Sequence, residues 1–142
     1  MIQRKQTIWL LLAALCGFAM AKVPIFEATL STNVIQQVMA SDSLLLFALI
    51  TGIAILAIIC IFLFKNRTLQ FKLVIITIIL ALAGIALQVW KVEGYKTATT
   101  NISKGTYQVG GLLPVAMVIF LILAARGIYK DEKLVKSLDR LR

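Results

Sequence analysis

The chain has 142 residues, of which 61% are apolar and only 15% charged, with a mean hydropathy of +0.95 and a formal net charge of +9. A soluble domain is about half apolar and about a quarter charged, so this balance points to one membrane-embedded domain rather than a water-soluble one. With no His, two Cys and six acidic residues, metal centres, Ser/His or Cys/His catalysis and disulfide frameworks lack most of their side chains.

A helix crosses a hydrocarbon core of about 30 Å with about 20 apolar residues, because each residue advances about 1.5 Å and every backbone polar group must be paired inside the segment. Four stretches approach that length. Residues 1–142 read as a single integral membrane domain with spans at about 7–23, 44–64, 73–90 and 110–126 and a tail at 127–142. The first span carries Lys22 near its end and is followed by Pro24, which continues a helix poorly. Residues 1–21 also fit a secretory signal, with Arg4 and Lys5 as the basic start, Ile8 to Leu15 as the apolar core and Ala19-Met20-Ala21 as the small-residue cleavage site. The apolar run continues to Val23, which favours an uncleaved helix over a cleaved signal. Both readings leave the following segment on the outer side.

Ile25, Phe26 and Thr29 give the segment from Ile25 to Val34 a β preference. Ser41-Asp42-Ser43 then supplies acceptors for free N–H groups at a helix start, and Leu44 to Phe64 follows without a charge. Leu73 to Trp90 lies between Lys72 and Lys91, with Thr77 and Gln88 as its main polar side chains. Neither segment shows the polar stripe that a helix of a soluble bundle carries. Gln88 falls within about one turn of the outer boundary, where water or a loop is expected to satisfy it.

Between Tyr95 and Val109, Thr97, Thr99, Thr100 and Ile102 precede Ser103-Lys104-Gly105, and Thr106, Tyr107 and Val109 follow. β-prone residues on both sides of a glycine-containing turn predict a short β-hairpin on the outer side, with flexible loops as the alternative. In the fourth span Pro114 is expected in the first turn or so, where its missing N–H does least harm. Beyond it, Leu134, Leu138 and Leu141 recur at i, i+4 and i+7, and Glu132 and Lys136 form an i, i+4 pair, so the tail predicts an amphipathic helix. Its candidate docking surface is Lys130, Lys133, Leu134, Lys136, Leu138, Arg140, Leu141 and Arg142. This surface either lies on the anionic headgroups of the inner leaflet or folds against the 65–72 loop, or it docks on a cytosolic or membrane-protein partner.

Orientation follows the Lys and Arg near the spans. Eleven of the fifteen fall on the side of the N-terminus, the 65–72 loop and the tail, and four on the other. That excess of Lys and Arg predicts both termini in the cytoplasm, and with three acidic residues on each side the net charges are +8 and +1. The basic pI is therefore an orientation signal, and no nucleic-acid partner is implied. Trp9, Phe64, Phe71 and Tyr129 near one interface and Trp90 near the other fit aromatic belts.

The spans offer no carboxylate for binding or proton transfer. They offer small residues at helix-contact spacing, namely Ala13, Gly17 and Ala21, then Ala48 and Gly52, then Ala81 and Gly84 with Ala83 and Ala86, for contacts within the chain or between subunits. Cys16 and Cys60 lie at different depths and read as packing residues. No acid, base and nucleophile set is present, and no cofactor or metal is expected. The expected fold is an all-α four-transmembrane-helix bundle with an outer hairpin and a cytoplasmic amphipathic helix. The expected role is a non-enzymatic structural or accessory component of a larger membrane complex, and the alternative is a small oligomeric transporter or channel.

The opening Met1-Ile2-Gln3-Arg4-Lys5-Gln6-Thr7-Ile8-Trp9 and the close Arg126-Gly127-Ile128-Tyr129-Lys130-Asp131-Glu132-Lys133-Leu134-Val135-Lys136-Ser137-Leu138-Asp139-Arg140-Leu141-Arg142 carry a resemblance. Together they resemble an uncharacterised family of small four-span inner-membrane proteins of Bacteroidota bacteria, known only as a domain of unknown function. The resemblance implies that the opening segment is kept as a helix. It implies no activity and no catalytic residue.

Overall fold

The computed structural model describes residues 5–32, 34–64, 66–99 and 102–139, with Lys5, Lys136, Leu138 and Asp139 described by backbone alone. In chain order the elements are α1 (Lys5–Met20), β1 (Phe26–Leu30), β2 (Ile35–Val38), a 3₁₀ turn (Ala40–Asp42), α2 (Leu44–Phe62), α3 (Arg67–Ala98), β3 (Ile102–Tyr107) and α4 (Val109–Asp139). Three of the helices, α2, α3 and α4, are long and apolar enough to cross a membrane.

The first helix is shorter than the expected 7–23 span. Its 16 residues rise about 24 Å. It stops at Met20, and the N–H groups of Ala21 and Lys22 bond back to the Phe18 and Ala19 carbonyls in a closing turn. Pro24 is the physical stop, since its ring disfavours the helical region for the residue before it. The third helix errs the other way: 32 residues rise about 48 Å, so it runs well past both ends of the expected 73–90 span.

The start of α2 also departs from expectation. Ser43 occupies the N-cap without a side-chain hydrogen bond. Asp42 instead turns its carboxylate to the N–H of Met39 at 2.7 Å, closing the 3₁₀ turn that precedes the helix. Pro114 stands inside α4 rather than in its first turn, so the Gly110 carbonyl has no N–H four residues on to receive.

The expected hairpin around Ser103–Gly105 is replaced by a three-stranded antiparallel sheet of order β2-β1-β3. Tyr95 to Ala98 remain in α3, and Ser103, Lys104 and Gly105 lie within β3, where Gly105 faces Ala28 of β1. The hairpin in this sheet is β1 with β2, paired from Phe26 and Val38 to Thr29 and Ile35. Local preference loses here to helix continuation: the Thr97 hydroxyl bonds to the Glu93 and Gly94 carbonyls inside the helix. The strand expected between Ile25 and Val34 is present as β1, with Phe26 and Ala28 facing inward.

The four helices close a ring in which α1 and α3 each pack against both α2 and α4. One core, with Leu10, Ile53, Val74, Met117 and Leu121, fills the ring. A second, with Met20, Ile25, Phe26, Leu46 and Val92, joins the sheet to the helix ends beside it. The chain thus has a sheet end and a termini end. Away from the cores the surface stays apolar: Ile55, Ile59, Ile76, Ile79, Leu82, Ile119 and Ile122 are all exposed on α2, α3 and α4.

Candidate functional site

The small residues sort into two groups. Gly17 is buried on α1, and a Cβ there would stand 2.9 Å from the Cβ of Ala54 on α2, so glycine sets how closely these helices approach. Gly84 of α3 meets the Leu49 side chain in the same way, with 3.0 Å available for a Cβ. Ala13 and Ala81 are fully buried in the core of the ring. Ala21 is half-buried just after α1, Ala48 is exposed, and Gly52 has nothing within 4 Å of its added Cβ. The contact face of α2 is instead Ile50, Ala54, Ala57 and Cys60, all buried. Ala54 and Ala57, three apart, are the small residues that sequence reading missed; Gly52 lies about 200° around the helix from Ala54. Cys16 and Cys60 are both free thiols.

At the termini end, polar side chains fasten the helices to one another. Gln6 of α1 donates to the Asp131 carboxylate of α4 at 3.2 Å, and Arg67 at the start of α3 donates to the Asp131 carbonyl at 3.1 Å. Thr68 donates to the Glu132 carboxylate at 3.3 Å. The tail is therefore the uninterrupted continuation of α4 to Asp139, bound to the first turn of α3. Lys130, Lys133 and Leu134 are exposed on it. The side chains of Lys136 and Leu138, and all of Arg140, Leu141 and Arg142, lie outside the described residues. Phe71 and Tyr129 pair with centroids 5.9 Å apart at this end, as do Trp9 and Phe120.

At the sheet end lies a cleft of about 620 Å³ between β2, the 3₁₀ turn, the start of α2 and the last turns of α3. This lies within the range of small-molecule sites, about 300–1,000 Å³. Ile25, Val38, Leu46 and Val92 make its apolar walls; Asp42, Lys91, Gln36 and Tyr95 bring polar groups to it. The Tyr95 hydroxyl donates to the Gln36 amide oxygen, tying α3 to β2. Phe26 closes the sheet beside it, edge-on to Tyr95 and Tyr107. Lys96 sits over the Phe26 and Tyr107 rings at 5.4 and 5.1 Å and bonds to Glu93 at 3.2 Å. That hydrogen bond holds the Lys96 ammonium above the ordinary lysine range, against a smaller opposing effect of desolvation.

Gln88 is the residue that links sequence and cleft. It was expected near the outer boundary, hydrated or bonded to a loop; it is buried, lines the cleft and donates its Nε2 to the Gly111 carbonyl in the first turn of α4 at 3.3 Å. Its Oε1 has no hydrogen-bond partner. Gln6 and Gln70 share this condition at the other end, with Gln70 donating to the Cys60 carbonyl at 2.8 Å. An unmatched buried acceptor costs about 1–3 kcal/mol. Of the three, only Gln88 opens onto the cleft. Gln36, Gln37 and Met39, which also line it, carried no sequence signal because β2 itself was not foreseen.

Among the described residues no group of His, Cys, Asp and Glu is placed to hold a metal ion. No curated protein and no solved structure matches the chain. One family model does, the one described as domain of unknown function DUF4293, over residues 2–141. With nearly the whole sequence covered, the chain belongs to this DUF4293 family.

Proposed function

We propose that the protein is a non-enzymatic, four-span component of the bacterial inner membrane, with both termini in the cytoplasm and the sheet outside, serving as a structural or accessory subunit of a larger membrane complex. The observation that carries this reading is the apolar outer surface of all four helices. On α1 the exposed large apolar residues are Ile8, Leu11, Leu15 and Phe18, a stripe at helical spacing directed away from the buried Leu10, Ala13 and Ala14. In water such a continuous apolar surface would mark an aggregation site; in lipid it costs nothing. At 16 residues α1 is short, and local thinning of the bilayer or tilting of its neighbours accommodates the mismatch.

The accessory role rests on what surrounds the helices. The core that fills the ring is apolar, and the donors beside it are taken up within the chain, the Thr77 hydroxyl by the Leu73 carbonyl and the Gln70 amide N–H by the Cys60 carbonyl. The basic tail, held to α1 and α3 through Asp131 and Glu132, keeps Lys130, Lys133 and Leu134 exposed toward the anionic inner leaflet and any partner seated there.

Gentle detergent extraction of the full chain, followed by affinity recovery and protein identification, tests the role. One stoichiometric membrane-protein partner, lost on deleting residues 130–142, is the expected result. Recovery of the chain alone, together with a solute flux in reconstituted vesicles, would overturn it.

A further inference from the structure

The cleft at the sheet end combines features that no packing role explains. Gln88 lines the cleft and is only 5% exposed, yet its Oε1 accepts no hydrogen bond, so a donor brought by an occupant of the cleft would satisfy it. The α2 helix opens onto the same cleft at Ser43 with no side-chain cap and no acidic residue in its first turn, leaving its N–H groups for an anion. Asp42 and Lys91, both exposed, bring one charge of each sign to the cleft. The walls made by Ile25, Val38, Leu46 and Val92 are apolar, and Trp90, 73% exposed, lines the cleft where the apolar part of α3 ends. Amphipathic walls, paired opposite charges and a missing donor together describe a zwitterionic amphiphile.

We propose that this cleft binds one phospholipid whose headgroup carries a primary ammonium. The ammonium has three N–H donors, enough to serve Gln88 Oε1 and the Asp42 carboxylate. The phosphate oxygens take the Lys91 ammonium and the free N–H groups at the start of α2. The first acyl carbons lie along the apolar walls. A trimethylated head has no N–H to offer Gln88, and a glycerol head has no cation for Asp42, so the cleft discriminates by headgroup. The inference rests on the proposed placement of the sheet end at the membrane surface, where such lipids are the neighbouring molecules.

The test uses the full chain purified in a mild detergent, with phosphatidylethanolamine, phosphatidylcholine and phosphatidylglycerol added singly and bound lipid read by native mass spectrometry. One phosphatidylethanolamine is expected to be retained about tenfold more tightly than either of the others. Asp42→Asn removes the charge but keeps an oxygen to accept the Met39 N–H, and Lys91→Gln changes an exposed side chain; each is expected to lower that preference. Gly94→Phe fills the cleft from a position with nothing within 4 Å of its added Cβ, and is expected to abolish retention. Equal retention of the three lipids, or undiminished binding by Gly94→Phe, overturns the proposal. Labelling of Ser41→Cys by an impermeant maleimide, in a Cys16→Ala/Cys60→Ala background, separates the two readings. Headgroup selectivity with a shielded Ser41→Cys keeps the lipid site and rejects the orientation; no selectivity with a labelled Ser41→Cys does the reverse.

Discussion

The Phe26 ring lies across Gly105 on the neighbouring strand, with its Cζ 2.6 Å from the place a Cβ on Gly105 would occupy. Phe26 faces Tyr107 and Gly105 faces Ala28 in the β1–β3 ladder, so the ring leans two pairs along the sheet, past Glu27 and Thr106, to cover the glycine. An aromatic side chain over a strand glycine restores the packing that the missing Cβ gives up. Gly105→Ala should therefore destabilise the sheet end by about 1–3 kcal/mol through overpacking. In a Phe26→Leu background the same substitution should cost much less. Thermal unfolding of the four members of this double-mutant cycle in detergent reads the coupling.

Helix approach gives a second expectation. Gly17→Ala should destabilise the α1–α2 contact by about 1–3 kcal/mol, because the new methyl meets Ala54 at 2.9 Å. Gly52→Ala, with open space around it, should leave stability unchanged or raise it by up to about 1 kcal/mol through helix propensity. Unfolding by graded denaturing detergent distinguishes these opposite signs.

The Lys96–Glu93 pair predicts a pH dependence. The hydrogen bond to Glu93 raises the lysine above its usual 10.5, so the folded state holds this proton more tightly than the unfolded state does. The resulting stabilisation is complete below 10.5 and is lost as pH climbs through the higher folded value. Glu93→Gln should flatten this alkaline decline and leave stability at neutral pH nearly unchanged, since the pair is surface-exposed. Melting curves recorded from neutral to strongly alkaline pH check it.

At the termini end, Arg67 and Gln6 both bond to Asp131. Arg67→Ala should release the last turns of α4 from α3, at a cost of about 1 kcal/mol for the lost hydrogen bond. Limited trypsin digestion should then cut after Lys130 and Lys133 several times faster than in the parent chain. An unchanged digestion rate would mean that the tail is held by its own helix alone.

Asp131 and Gly105 also show where sequence reading reaches its limit. The apolar runs from Leu44 and from Leu73 announce α2 and α3 directly, since an all-apolar surface on a helix has only one comfortable solvent. Gln88 and the glycine and alanine rows were visible as residues. What they touch was not: Gln88 meets Gly111, 23 positions away, and Gly17 meets Ala54 across the ring.

Length, hydropathy and charge sorting thus decided by themselves that the chain is built of apolar helices, because burying backbone polar groups in a long apolar run leaves the helix as the available solution. Its basicity likewise became a statement about which end of the helices carries the charge. Tertiary structure alone decided that Tyr95 to Ala98 stay helical, that Ser103 to Gly105 form a strand against β1, and that β2 exists and closes a cleft. Local β preference around Gly105 was real, but its partner lay some 75 residues earlier in the chain, and strand pairing at that separation is settled by packing around Phe26 rather than by any property of the segment.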